Sequence, residues 1–226
     1  PLLMSGSPSL MSATEHSYLV HVIMKDLKIG LGSRAVLRAL HPDANDAYDR
    51  PFANETEMTD AIVDRWNEIL SPDDVLVHLG DFVGDLADGD EKVRVATAVR
   101  ARLRVGRIVL VRGNHDPRRP EFDANFADVV DLLDHRPKHA PHRVVMSHYP
   151  MRSWRGNRRG SVHLYGHTHG RLEEIGRSTD VGVDCWGFRP VRFQPLLEHL
   201  AARPILAFPM RRTRRQPERD GRFEIG

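Results

Sequence analysis

A single cysteine, Cys185, is all the sulfhydryl chemistry this 226-residue chain has. No internal disulfide can form, which excludes a stapled secreted scaffold and makes a reducing, cytoplasmic compartment the expectation. No apolar run approaches the ~20 residues that span a bilayer, so a membrane-spanning role is excluded on the same reading. No repeat of solenoid or propeller length occurs, which removes those architectures. Lysine is scarce as well: only Lys25, Lys28, Lys92 and Lys138 are lysines among 33 basic residues.

The remaining composition is that of one ordinary globular domain, with 40% hydrophobic and 28% charged residues. The formal charge of +2 is unevenly placed. Arg211 to Gly226 holds six arginines against Glu218, Asp220 and Glu224, a net of +3, so the rest of the chain is near −1. A basic tail of this kind can touch nucleic acid or another acidic surface, or remain a solvated end. The expected organisation is a disordered lead-in over 1–15, one folded domain over 16–205 and a flexible basic tail over 206–226.

Short apolar runs alternate with amphipathic segments, the pattern of an α/β domain. Tyr18 to Met24 reads as the first strand. Asn54 followed by Glu57 is a helix-start signal, after which Met58, Ile62, Trp66, Ile69 and Leu70 fall on one face. Val75 to Leu79 reads as a strand, Asp90 to Val105 as a helix with Val93, Ala96, Val99 and Leu103 inward, and Arg107 to Val111 as a strand. Two more strands are expected at Arg143 to Met146 and Val162 to Tyr165.

Four of these strands end in a polar block. Gly80-Asp81 follows the second, Gly113-Asn114-His115-Asp116 the third, Ser147-His148 the next, and Gly166-His167-Thr168-His169 the last. Ligands of open α/β sheets bind beyond the carboxyl ends of strands, where the turns converge. Asp81 offers two carboxylate oxygens, Asn114 an amide oxygen, and His148, His167 and His169 imidazole nitrogens. This oxygen and nitrogen set without thiolate suits Mn, Fe, Zn or Co; calcium, which prefers an all-oxygen shell, is disfavoured. Taken singly, each block has a plainer reading: a turn, a core histidine, or a helix start capped by Asp116. Their order, each at a strand end, favours the metal site.

These four blocks resemble the signature of calcineurin-like metallophosphoesterases, most closely the small bacterial and phage members. The similarity runs from about Lys25 to Pro195 and includes Arg50-Pro51-Phe52, Arg65-Trp66-Asn67 and Val181-Gly182-Val183-Asp184. The resemblance implies an α/β (α+β) sandwich, two β-sheets flanked by helices, with a dinuclear centre at their shared edge. It implies that Asp81 bridges two metals, that Asn114, His148 and His167 complete one of them, and that His169 serves the other with the first-strand motif. Two cations roughly 3.5–4 Å apart would clamp the phosphoryl group and activate a water for in-line attack. His115 would assist the leaving group, with Asp85 or Asp116 as its acidic partner. Arg152 and Arg155, beside Trp154, are candidates for holding an anionic substrate, a nucleotide among them; Arg158 and Arg159 read as loop surface.

The chain departs from the family pattern at the first block, Asp-x-His. The matching stretch is Lys25-Asp26-Leu27-Lys28-Ile29-Gly30, so Asp26 fits and Lys28 replaces the histidine. A protonated ammonium has no lone pair for a metal. Three consequences are open: a weak first metal held by Asp26, Asp81 and His169; a one-metal site with Lys28 supplying the missing charge; or a substitute ligand such as His41, Asp43 or Asp46. The plainest alternative is a degenerate motif with Lys28 in solvent. The function expected is phosphate-ester hydrolysis. The alternative is a degenerate module that binds nucleotide or nucleic acid without efficient turnover.

Overall fold

The computed structural model describes residues 50–84, 86, 88–137 and 142–206 in full, and the backbone of 18–21. Two sheets carry the architecture. The first has strand order β4-β3-β2-β1-β9, with β1 at Tyr18–His21, β2 at Val75–His78, β3 at Arg107–Val111, β4 at Asp128–Val130 and β9 at Val191–Arg192. Strands β1 to β4 run parallel and β9 pairs antiparallel with β1. The second sheet is ordered β5-β6-β7-β8, from Leu132–His135, Val144–Ser147, Val162–Tyr165 and Ser178–Asp180. Here β6, β7 and β8 are parallel and β5 antiparallel. Only Asp131 separates β4 from β5, so the chain steps directly from one sheet to the other.

Alternation along the strands builds two cores, because successive side chains leave a strand on opposite faces. Leu76, Ile108 and Leu110 face helix α1 (Glu55–Asn67) and helix α2 (Gly89–Arg102), packing with Met58, Ile62, Trp66, Ala96 and Val99. Val77, Leu79 and Val111 face the second sheet and meet Val144, Met146, Val162 and Leu164, closed off by Leu196, Leu197 and Leu200. The last three lie on α4 (Phe193–Ala201); α3 is a single turn at Pro120–Asp123. The expected sandwich of two sheets flanked by helices is therefore the observed one.

Local signals explain the element ends. The Asn54 side chain accepts the Glu57 amide at 3.0 Å, the capping contact anticipated for α1. Helix α2 stops at Arg102, three residues earlier than its apolar period suggests. Asn67 ends it, donating to the Arg102 carbonyl at 2.9 Å and accepting the Arg104 amide at 2.8 Å. The first strand is described only to His21, so its expected continuation to Met24, along with Asp26, Lys28, His41, Asp43 and Asp46, lies outside the described residues. So do Asp85 and the basic stretch from 207 to 226. No helix among the described residues is long and apolar enough to cross a membrane.

Candidate metal centre

Strands β2 and β3 of the first sheet and β6 and β7 of the second deliver their polar blocks to one rim. His148 follows β6 directly, and its Nδ1 lies 2.8 Å from the Leu79 carbonyl across the sheet junction. A carbonyl only accepts, so Nδ1 carries the proton and donates it. This leaves the Nε2 lone pair of the neutral ring facing the rim, as an outer contact commonly does for a metal-binding histidine.

Nε2 faces three further atoms that bear lone pairs. Asn114 Oδ1 is at 2.9 Å, His167 Nδ1 at 3.2 Å and Asp81 Oδ2 at 3.4 Å. Asp81, His148 and His167 offer ligand atoms that all lie within 4.8 Å of one another. Ligands bound about 2.1 Å from a common ion are separated by roughly 3.0–3.4 Å, whether octahedral or tetrahedral. The three spacings from His148 Nε2, 2.9, 3.2 and 3.4 Å, lie in or just below that range. Oxygens and imidazole nitrogens gathered this closely can offer their lone pairs to a single cation. The donor set therefore fits a divalent metal. Burial alone pushes the His148 pKa down, but the hydrogen bond and charge of Asp81 outweigh it and raise it. Burial likewise pushes Asp81 up, and the His148 and His115 contacts bring it below the ordinary carboxylate range.

Backbone strain marks the same residues. Asp81, His167 and His169 have φ of 54°, 65° and 52°, the left-handed region. This conformation costs about 1–2 kcal/mol for a residue with a Cβ. Among the described residues, three of the four non-glycine residues with positive φ are thus expected ligands. Two glycines allow the loops to close on each other. A Cβ on Gly80 (φ 96°) would sit 2.6 Å from His148 Nδ1, and one on Gly113 would sit 2.3 Å from Asp81 Oδ1.

Two buried aspartates hold the loops in these shapes. Asp116 accepts the amides of Asp81 and Phe82 at 2.8 Å and of Gly113 at 2.9 Å, binding the β2 and β3 loops together. Burial raises its carboxyl to about 6 despite these contacts. Asp116 is therefore a clamp between loops, its oxygens accepting backbone amides instead of capping a helix. Asp180 plays the equivalent part for the other loop, accepting Thr168 Oγ1 at 2.6 Å and the amides of Gly170 and Gly182 at 3.0 and 2.7 Å. His115 is half-buried; its amide donates to Asp81 Oδ1 at 2.9 Å, and its carbonyl accepts from Lys92 Nζ at 2.7 Å.

His169 stands apart from the cluster. Its Nδ1 lies 2.7 Å from Asp184 Oδ2, and Asp184 also receives Arg50 through two contacts of 2.8 and 2.9 Å. A histidine held at Nδ1 by a carboxylate presents Nε2 to a metal. Burial would raise Asp184, but the His169 and Arg50 bonds prevail and bring its carboxyl down to about 2. Arg50 and Asp184 stand in the stretches that carry the family resemblance, and these contacts give them a role that the sequence alone does not. Arg152 is exposed, and Arg155 is exposed and paired with Asp134 at 3.0 Å. Trp154, between them in the chain, is buried beside His163, with its indole N–H donating to the Ser161 carbonyl.

Comparison with known proteins reaches the same region. Residues 40–132 match the family model of the calcineurin-like phosphoesterases. The "Uncharacterized protein MJ1445" of Methanocaldococcus jannaschii is 27% identical over 150 residues, covering 63% of this chain and 75% of that protein. The "Gene 66 protein" of Mycobacterium phage D29 is 27% identical over 170 residues, covering 63% of this chain and 83% of its own. A crystal structure of a protein of unknown function, AQ665 from Aquifex aeolicus, superposes with a TM-score of 0.49 at 20% identity, covering 81% of this chain and all of that one. The matched segment contains Asp81, Asn114 and His115 and ends before His148, His167 and His169.

Proposed function

Since residues 40–132 carry a calcineurin-like phosphoesterase domain, we propose that this chain is a metal-dependent hydrolase of phosphate esters, working at a dinuclear centre with His115 assisting the leaving group. The observation that carries this reading is the convergence of Asp81 Oδ2, Asn114 Oδ1, His148 Nε2 and His167 Nδ1 at 2.9–3.4 Å around His148. These four would hold one ion. His169, steadied by Asp184, would hold the second together with Asp81 and Asp26. Mn, Fe, Zn and Co suit the donors. Such ions, when bound, polarise phosphoryl oxygens and make water nucleophilic at neutral pH.

The protein's part is placement. Leu79 fixes the His148 tautomer, Asp116 fixes the Asp81 and Asn114 loops, and Asp81 and Lys92 fix the backbone of His115. A positioned acid beside the leaving oxygen contributes roughly 10²–10⁴-fold, and His115, next to ligand Asn114 in the chain, is the candidate. Substrates are phosphate mono- or diesters, nucleotides among them, with Arg152 and Arg155 as outer anion contacts and the basic tail as a nucleic-acid contact. The competing reading, a binding module without efficient turnover, rests on Lys28.

Hydrolysis of p-nitrophenyl phosphate and bis(p-nitrophenyl) phosphate with added Mn²⁺, Co²⁺, Zn²⁺ or Fe²⁺ separates the two. Turnover that disappears in Asn114→Ala and His115→Ala supports the hydrolase. Absence of turnover with every metal, while the protein still binds nucleotide, supports the module.

A further inference from the structure

Beside the cluster lies a cleft of about 580 Å³, lined in part by Asn114, His148, Tyr149, Met151, Arg118 and Asp131. Its size is that of a small-molecule site and exceeds what a bare phosphate needs. One end is the ligand set itself, Asn114 and His148. The two sides differ in chemistry.

The first side is aromatic and thioether. Tyr149 follows His148 in the chain, and its ring centroid lies 4.9 Å from that of His148 and 4.5 Å from that of His167, tilted 73° and 64°. The residue is nonetheless 51% exposed, among the most exposed large hydrophobic side chains described. Its position is built rather than incidental: Ser147 Oγ donates to the Tyr149 carbonyl at 2.8 Å, and the Met151 amide donates to buried His163 at 3.0 Å. Both residues therefore stand on a fixed backbone. A half-exposed aromatic ring on such a support, next to the candidate metal ligands, offers a planar group a fixed surface to stack on.

The second side is charged. Arg118 and Asp131 pair at 2.9 Å with side chains 73% and 71% exposed. An exposed pair of this kind is worth little, about 0–1 kcal/mol, and so is readily exchanged for a ligand's groups. Arg112, deeper in the cleft, is already committed to Asp123 and the Pro117 carbonyl.

We infer that this cleft binds the organic group of the phosphoester, and that the group is flat and aromatic, an aryl or nucleobase ring laid against Tyr149 and Met151 with its polar edge toward Arg118 and Asp131. The inference rests on the proposed phosphoesterase reading, because the phosphorus must sit at the ligand set for the ring to reach Tyr149.

The test uses phosphonates, which are not hydrolysed. Binding of phenylphosphonate and methylphosphonate to the Mn²⁺-loaded protein is measured by calorimetry, alongside turnover of p-nitrophenyl phosphate. Phenylphosphonate should bind about 10-fold more tightly, the value of one stacked ring. Tyr149→Ala should shrink that ratio to within about twofold, and Tyr149→Phe should keep it, since the ring and not the hydroxyl makes the contact. Equal binding of the two phosphonates in the native protein, or a ratio untouched by Tyr149→Ala, overturns the inference while leaving the hydrolase intact if turnover persists. Failure of both phosphonates to bind, with no turnover, overturns the hydrolase reading and this inference together.

Discussion

The two ends of the candidate centre are held by different means. Around His148, four candidate ligand atoms from two sheets face each other, supported by a backbone carbonyl, Leu79 on His148, and by the Asp116 carboxylate that gathers loop amides. Around His169, one imidazole is held by a side-chain chain, Asp184 and then Arg50. The first arrangement brings its donors together with only protein atoms. The second waits for partners, and Asp26, the expected one, lies outside the described residues. The Leu79 carbonyl survives side-chain substitution, whereas Asp116 at one end and Asp184 at the other are each lost by one. The first position should therefore be the tighter and the second the more easily emptied.

The largest effect expected is at the shared hub. His148→Ala should lower metal affinity and turnover by more than about 100-fold, beyond what loss of an outer contact costs; metal content and kcat/KM check it, and retention of both would dissolve the first position. His115→Ala should lower kcat by about 10²–10⁴-fold with bound metal unchanged. A parallel loss of metal would make His115 a support for the loop instead of an acid. Asp184→Asn should weaken only the second ion, by roughly 10–100-fold. Loss of both ions in that variant would erase the contrast drawn between the two positions.

Asp184 also predicts a pH signature. Its folded pKa of about 2 lies below the ordinary 3.8, so the charged form is favoured by folding. The stabilisation, roughly 2 kcal/mol for a shift of this size, is complete above about pH 4 and lost as pH falls through 2. Denaturant titrations between pH 5 and 2 should show this slope, flattened in Asp184→Asn. The smallest effect belongs to Arg155→Ala, whose exposed pairing with Asp134 should change stability by at most about 0.5 kcal/mol.

Much of this was legible in the order of residues. Strands β3 and β7 have the bounds their apolar runs suggest, and each ligand follows a strand end because parallel strands point their carboxyl ends to one side. What could not be read is which atoms meet across the sheets. The Leu79 contact to His148 spans 69 residues, and no local pattern announces it. In the sequence Asp116 is a candidate helix cap or partner of His115 and Asp180 stands in no motif, because a clamp differs from a cap only in the distant amides it collects. The relative facing of His167 and His169 turns on two left-handed residues, an unusual backbone state that no side-chain preference signals. Trp154 lies among exposed Ser153 and Arg155 in the chain, and only the packing of β7, which places His163 beside it, shows its burial.

The most direct measurement is turnover of bis(p-nitrophenyl) phosphate by chelator-stripped protein as Mn²⁺ is titrated back, with bound metal counted at each step. Turnover should be absent at the start and rise with occupancy of the first ion or the second. The midpoint should shift to lower metal concentration as pH rises through and above 6.5, because His148 holds its proton more tightly than an ordinary histidine. Hydrolysis that persists in the stripped protein, or metal that binds fully without any turnover, would contradict the account.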